Sequence, residues 1–250
     1  MDYINENGLN RIAYVRSAAT QGGEGLPAIL FLGGFRSDME GTKAIYLEEQ
    51  CRARGQEFVR FDYSGHGSSD GEFEDGTIGA WRNDARDVLD HVVQAKDVIL
   101  VGSSMGGWIS LLLLLERADR VKGLVGIAAA PDFTREIAGR LSDEQNAVMM
   151  RDGRVEVPND YSDDPYVFTR LLITDGDENC LLDKTYNVDA SMILVQGKQD
   201  ADVPWEKALR IQECFKSPSS EVIFVDDGDH RLSKPNELEI IWNAVMRLSS

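Results

Sequence analysis

Five consecutive residues, Gly102-Ser103-Ser104-Met105-Gly106, have the composition and order that nucleophilic catalysis asks for. A β-branched run, Val98-Ile99-Leu100-Val101, precedes them, and a longer apolar run from Trp108 to Leu115 follows. The short run reads as a buried strand and the longer one as the start of a helix. Gly-x-Ser-x-Gly at such a junction is a nucleophile elbow, a sharp turn that pushes the serine hydroxyl clear of the sheet. Glycine belongs two places to either side, because a Cβ there would block the close crossing of strand and helix. Ser104 is the serine in register; Ser103 lacks glycines at the right distances. In a chain rich in Gly and Ser the pentapeptide alone is a weak signal, and its weight comes from the flanking elements and from partners downstream.

A serine hydroxyl is a poor nucleophile until a base takes its proton, and imidazole is the usual base near neutrality. The chain has 3 histidines. His91 lies off the apolar stripe of its expected helix and reads as solvated. His66, in the loop Asp62-Tyr63-Ser64-Gly65-His66-Gly67-Ser68-Ser69, lies upstream of the serine and reads as a surface-loop residue. His230, in Asp226-Asp227-Gly228-Asp229-His230, alone satisfies the chain order serine, acid, histidine. The acid that orients the imidazole should follow the strand Met192 to Val195. That loop, Gly197-Lys198-Gln199-Asp200-Ala201-Asp202-Val203-Pro204, offers two carboxylates. Asp200, just past the glycine, is favoured over Asp202, while Asp226, Asp227 and Asp229 read as a solvated acidic turn. Negative charge developing on a substrate carbonyl needs two backbone N–H donors. Met105, the residue after the serine, and Phe35, in Gly33-Gly34-Phe35-Arg36, are the expected pair.

These residues need a scaffold, and the pattern supplies one. Apolar runs at Ala28–Leu32, Glu57–Phe61, Val98–Val101 and Val121–Ala128 alternate with expected helices at Thr42–Arg54, Ile78–Val93 and after Met105, with Arg11–Ala18 as an edge strand. Strand-helix alternation of this spacing predicts an α/β fold, a mostly parallel twisted sheet with helices on both faces. The rhythm breaks at Pro131 and resumes with Met192–Val195, a helix at Trp205–Phe215, Val222–Val225 and a last helix near Asn236–Met246. Between lies a polar stretch with one expected helix, Thr134 to Met150, and a short strand, Arg154-Val155-Glu156-Val157. The expected organisation is one domain over residues 1–250, with a core at 11–131 and 189–249 and a small lid insertion at about 132–188. Leu141, Met149, Met150, Phe168, Leu171 and Leu172 are candidates to line a substrate pocket beneath that insertion, and Arg36 and Arg231 to attract a carboxylate-bearing substrate.

Composition narrows the rest. A net charge of -17 argues against nucleic acid or an anionic membrane surface as partner. The longest apolar stretch is too short to span a bilayer, so no stable membrane insertion is expected. Three cysteines, Cys51, Cys180 and Cys214, are widely spaced and read as free thiols, neither a disulfide framework nor a zinc site. With no basic-apolar leader at Met1 to Asn10, the expected location is cytoplasmic. The chemistry requires no cofactor and no metal.

Gly41-Thr42-Lys43-Ala44, Arg60-Phe61-Asp62-Tyr63-Ser64-Gly65, Ser68-Ser69-Asp70-Gly71, Leu100–Trp108, Val203-Pro204-Trp205 and Asp229-His230-Arg231 together resemble one branch of the α/β-hydrolases. It is the branch of palmitoyl-protein thioesterase and mycophenolic acid acyl-glucuronide esterase, and the similarity runs from about Leu26 to Met246, with Pro158, Tyr161 and Cys180-Leu181-Leu182 in the insertion. The resemblance implies a lidded serine esterase or thioesterase with Ser104, Asp200 and His230 as its triad, acting on an acyl ester or thioester of a small molecule or on an acylated protein. This sequence departs from that pattern at Gln196, where histidine is common, and at Asp202, where an apolar residue is usual. No transit segment is visible, so mitochondrial targeting is not carried over. Other chemistry on the same residues (peptidase, lyase or perhydrolase) would leave simple aryl esters untouched, and a non-catalytic receptor would bind small molecules without turnover.

Overall fold

A computed structural model describes residues 1–6, 8–158 and 165–249. In chain order it contains β1 (Asp2–Ile4), β2 (Ile12–Ser17), β3 (Ala28–Leu32), α1 (Thr42–Ala53), β4 (Phe58–Phe61), α2 (Ile78–His91), β5 (Val98–Ser103), α3 (Met105–Glu116) and β6 (Val121–Ile127). After Pro131 come α4 (Phe133–Arg140), α5 (Asp143–Asp152), β7 (Arg154–Val157), β8 (Tyr166–Thr169), α6 (Arg170–Glu178) and β9 (Tyr186–Asn187). The chain then returns through β10 (Ser191–Gly197), α7 (Glu206–Cys214), β11 (Phe215–Lys216), β12 (Ser220–Val225) and α8 (Pro235–Leu248).

Among the described residues, eight strands form the central sheet in the order β1-β2-β4-β3-β5-β6-β10-β12. From β4 to β12 every pairing is parallel, and β2 runs antiparallel to both β1 and β4. Side chains alternate across the pleat and so divide the core into two layers. Ile29, Phe31, Ile99, Val101, Val125 and Ile127 pack against Ala44, Leu47 and Cys51 of α1 and Ile241, Ala244 and Val245 of α8. Leu30, Leu32, Leu100, Leu124 and Leu194 face Trp81 and Val88 of α2, Trp108 and Leu111 of α3, and Ile211 of α7. Strands buried on both faces explain the continuous apolar runs of the sequence.

Two expectations need correction. The sheet core does not start at residue 11, and β2 is not the edge: the N-terminal residues Asp2–Ile4 pair with Ile12–Tyr14 and take the edge position. The single helix expected from Thr134 to Met150 is two helices. Leu141 turns extended, and Ser142 caps α5 by accepting from the Gln145 N–H while the Gln145 side chain accepts from the Ser142 N–H. This capping box ends one helix and starts the next, and its Ser-x-x-Gln signature is present in the sequence.

The stretch from Asp132 to Asp189 adds no described strand to the central sheet, although β6 and β10, which flank it, pair directly. Its ends are pinned together. The buried Asp132 carboxylate accepts the N–H groups of Leu181 and Leu182 at 2.8 Å each. Lys207, on α7, donates to the Pro131 carbonyl and pairs with Glu136 of α4. Trp108 Nε1 donates to the Asn179 carbonyl at 3.1 Å and ties the end of α6 to α3.

The crossing of β5 and α3 shows why glycine stands at 102 and 106. A Cβ on Gly106 would fall 2.1 Å from the Leu32 carbonyl oxygen, and one on Gly102 would fall 2.3 Å from the Gly106 carbonyl oxygen. Gly106→Ala is therefore expected to push α3 off the end of β3 and lower the unfolding free energy by about 1–3 kcal/mol. The measurement is the urea midpoint, which should drop at an unchanged slope.

Candidate active site

Each element of the site leaves the C-terminal end of a parallel strand. Ser104 is the single residue between β5 and α3, with φ 54° and ψ -117°. A non-glycine residue with such backbone angles is strained and persists only where its surroundings hold it. The Ser104 N–H donates to the Ile127 carbonyl at 2.9 Å, and its own carbonyl accepts from Gly107 at 2.9 Å and Ala130 at 3.1 Å. The side chain is thereby aimed at the loop that follows β12.

In that loop His230 Nε2 lies 3.1 Å from Ser104 Oγ, and His230 Nδ1 lies 2.9 Å from Asp200 Oδ2. The imidazole side chain keeps 18% exposure while the Asp200 side chain keeps none. Asp200 Oδ1 accepts the N–H groups of Asp202 and Val203 at 2.9 and 2.8 Å, and Oδ2 accepts Gln196 Nε2 at 3.0 Å. An ionised, buried carboxylate is compatible with this site because its lone pairs are saturated by donors. Gln196, a departure from the resembled pattern, supplies one of them and also donates to the Val203 carbonyl at 3.1 Å. Asp202, the rival acid, contributes its backbone N–H to Asp200 and its side chain to the cavity wall. Asp229 is more than a solvated acid: Oδ1 accepts the Arg231 and Leu232 N–H groups and shapes the turn that carries His230. Asp200, Asp202 and His230 bring possible metal-ligand atoms within 4.8 Å of one another. A cation there would compete with the four donors that Asp200 already accepts.

Met105 opens α3, where N–H groups have no carbonyl partner one turn back and the helix end is electropositive. The Gly33–Arg36 loop passes close by, and a Cβ on Gly34 would lie 3.4 Å from Ser104 Cβ. The Phe35 ring stacks on Phe168 with centroids 5.3 Å apart and meets Phe133, Phe73 and Tyr166 edge-on. Arg36, at φ 56°, donates to the Pro165 carbonyl at 3.1 Å and lies over the rings of Phe73 and Tyr166.

A cavity of about 620 Å³ opens at Ser104 and His230. Its lining mixes the apolar Phe133, Ile137, Leu141, Val157, Tyr166 and Phe168 with charged residues, the cationic Arg36, Lys43, Arg140 and Arg231 and the acidic Asp38, Glu136 and Asp202. Lys43 donates from Nζ to the Arg231 carbonyl at 2.5 Å, and burial pulls its pKa down to about 8. Of the pocket candidates, Arg36, Leu141 and Phe168 line this cavity. Met149 and Leu172 do not: both are buried in the main core, because the phase of their helices turns them away from the opening. Met150 and Leu171 are exposed on the outer surface. Tyr161 lies outside the described residues. The three cysteines are free.

His66 is the residue that sequence reading misjudged. It is 4% exposed, ringed by Tyr63, Phe73 and Trp81, and it meets the loop of Phe35 by accepting the Arg36 N–H on Nε2 at 3.3 Å. Glycines on either side suggested an open loop, and only the packing of distant aromatic residues closes it. Burial and the nearby Arg36 cation push its pKa down to about 4.

Residues 28–170 match the Hydrolase_4 family, described as serine aminopeptidase S33. A mouse protein named palmitoyl-protein thioesterase ABHD10, mitochondrial, is 34% identical over 242 residues, spanning 96% of this chain and 80% of the mouse protein. Two solved structures are similar throughout. One, described as a hydrolase from Agrobacterium vitis S4, is 38% identical with a TM-score of 0.93, covering 100% of this chain and 97% of its own. The other, mouse alpha/beta hydrolase domain-containing protein 10, is 32% identical with a TM-score of 0.89, covering 99% and 97%. The cytoplasmic location expected from the N-terminal residues does not stand, since the mouse relative is named mitochondrial. No described helix is long and apolar enough to cross a membrane.

The low pKa of His66 has a consequence for stability. Between its ordinary value of 6.5 and its folded value of about 4, the unfolded chain takes up a proton that the folded chain refuses. This contribution is complete above pH 6.5 and is lost as pH falls toward 4. In urea titrations at pH 7 and pH 4.5, the loss of stability is expected to be about 2–3 kcal/mol smaller in His66→Gln than in the wild type.

Proposed function

The chain belongs to the α/β-hydrolases, to the Hydrolase_4 family and the branch of palmitoyl-protein thioesterase, and on that footing we propose that Ser104, His230 and Asp200 form the catalytic triad of this ester or thioester hydrolase. The observation that carries the reading is the continuous relay from Ser104 Oγ through His230 to Asp200, at 3.1 and 2.9 Å, opening on a cavity.

In the first step His230 Nε2 takes the Ser104 proton while Oγ attacks the acyl carbonyl carbon. The carbonyl electrons move onto oxygen, and the N–H groups of Phe35 and Met105 receive the resulting charge. Asp200 holds the Nδ1 proton and steadies the imidazolium. When the tetrahedral adduct collapses, the alcohol or thiol departs with the proton from Nε2 and leaves an acyl-serine. Water then attacks in the same way, with His230 as base, and the carboxylic acid is released with Ser104 restored. Every proton is returned, and the residues named supply each step.

The apolar part of the lining, with Phe168, Leu141 and Ile137, suits the acyl group. Arg36, over the Tyr166 ring, suits a polar leaving group, so long-chain acyl-thioesters and acyl-glucuronides are both substrate candidates. The described residues of 132–188 serve as a lid over the single domain, since Phe133, Tyr166 and Phe168 against Phe35 and the Asp132 contacts that pin its ends belong to them. A cavity of this size falls within the range of small-ligand sites.

Hydrolysis of a p-nitrophenyl ester series and of an acyl-thioester tests the reading. Ser104→Ala and His230→Ala are expected to lower kcat by at least about 10⁴-fold, and Asp200→Asn by about 10³–10⁴-fold. Asp202→Asn should stay within about threefold of the wild type, because His230 Nδ1 meets the Asp200 carboxylate. A wild type that leaves every ester and thioester intact while cleaving aminoacyl p-nitroanilides would replace this substrate class with a peptidase one.

A further inference from the structure

The loop Gly33–Arg36 has to hold one backbone N–H at a fixed point beside Ser104, yet little of it is regular structure. Its conformation is imposed from outside. Tyr63 Oη donates to the Gly33 carbonyl at 3.4 Å, and Ser37 Oγ donates to the Gly34 carbonyl at 2.8 Å. Arg36 is held at φ 56°, a strained value for a side-chain-bearing residue, and its N–H points to His66 Nε2 at 3.3 Å.

The protonation of His66 follows from its neighbours. Nδ1 lies 3.2 Å from the Ser64 carbonyl oxygen, which can only accept, so Nδ1 carries the ring proton. Nε2 is then a bare lone pair, as the Arg36 N–H requires. Ser64 is itself fixed, its N–H and hydroxyl both donating to the buried Asp84 carboxylate at 2.9 and 2.7 Å. Its carbonyl also accepts Trp81 Nε1 at 3.0 Å. Tyr63, Phe73 and Trp81 wall the ring, and the Arg36 cation is the charged group facing it. A proton on Nε2 would set one N–H against another and add charge beside Arg36. Burial keeps the ring neutral near neutral pH.

We propose that His66 is a positioning residue for the oxyanion hole: its neutral Nδ1–H tautomer anchors the Arg36 N–H and thereby sets the loop that presents the Phe35 N–H to the transition state. The role rests on the reading of Phe35 as an oxyanion donor given above. His66 does not line the cavity that opens at Ser104. It acts through the peptide next to the donor, and a displacement there weakens a bond made in full only when charge has developed.

The experiment compares wild type, His66→Phe and His66→Gln on a p-nitrophenyl ester, with binding of an aryl trifluoromethyl ketone, whose adduct on Ser104 carries an oxyanion. Phenylalanine keeps the ring volume and loses the acceptor; glutamine keeps an acceptor within reach of Arg36. For His66→Phe, kcat is expected to fall about 10–100-fold with KM changed by less than about threefold, and ketone affinity to fall in parallel. His66→Gln should recover most of both. Independently of any variant, nitrogen NMR of the wild-type imidazole should find the proton on Nδ1 and none on Nε2 at pH 7. A folded His66→Phe with kcat within twofold of wild type overturns the proposal, as does a proton on Nε2. If His66→Phe does not fold, His66→Gln and the NMR tautomer decide. A wild type that is inert and unlabelled at Ser104 by a fluorophosphonate refutes the triad itself, whereas an active, labelled wild type with an unaffected His66→Phe refutes only the role of His66.

Discussion

The molecule depends on one turn. Between the last residue of β5 and the first of α3 there is room for a single amino acid, Ser104, and its backbone sits at φ 54°. A conformation of this kind costs about 1–3 kcal/mol and is kept only by over-determination around it. The central position of β5 supplies that, with β3 on one side and β6 on the other. The Ile127 carbonyl and the Ala130 N–H grip the Ser104 peptide from the β6 side. From the β3 side, Leu32 approaches so closely that only glycine fits at 106. The strain is therefore carried by the most rigid part of the fold, and the hydroxyl it exposes has a fixed position.

Everything else in the site is aimed at that position from neighbouring loops. The loops after β10 and β12 come together because those strands are adjacent and parallel, which places Asp200 and His230 side by side although 30 residues separate them. The loop after β3 arrives beside Ser104 for the same reason. Asp200 is buried, and burial of a charge is tolerated only because backbone and side-chain N–H groups saturate it. Phe168 and Tyr166 belong to the stretch beyond Pro131, so their contact with Phe35 couples the loop beside the serine to that stretch.

Much of this was legible in the residues. The elbow reads directly because its glycines and flanking apolar runs are contiguous. The parallel sheet reads because double-sided burial leaves uninterrupted apolar strands. His230 and Asp200 follow from chain order and from the loops that the strands imply. Boundaries and special features read less well. The break at Leu141 depends on a capping box whose Ser142 and Gln145 stand in the sequence but compete with an apolar pattern that continues across them. β1 escapes notice because Asp2-Tyr3-Ile4 is too short to show a period.

The sequence by itself singled out Ser104, His230 and Asp200 as candidates and the alternation of strands and helices in the core, because each is written in neighbouring residues or in a chain order that this architecture obeys. The tertiary structure alone decided which side chains surround the substrate space. Leu141, Met149, Phe168 and Leu172 are equally apolar, yet only Leu141 and Phe168 face the cavity, since the facing of a helix is settled by what it packs on. It also decided the state of His66. A histidine between two glycines reads as exposed, and only the convergence of Tyr63, Phe73, Trp81 and Arg36, brought together from four parts of the chain, makes it a buried, neutral acceptor. Local chemistry is encoded locally; burial is a property of the assembled chain.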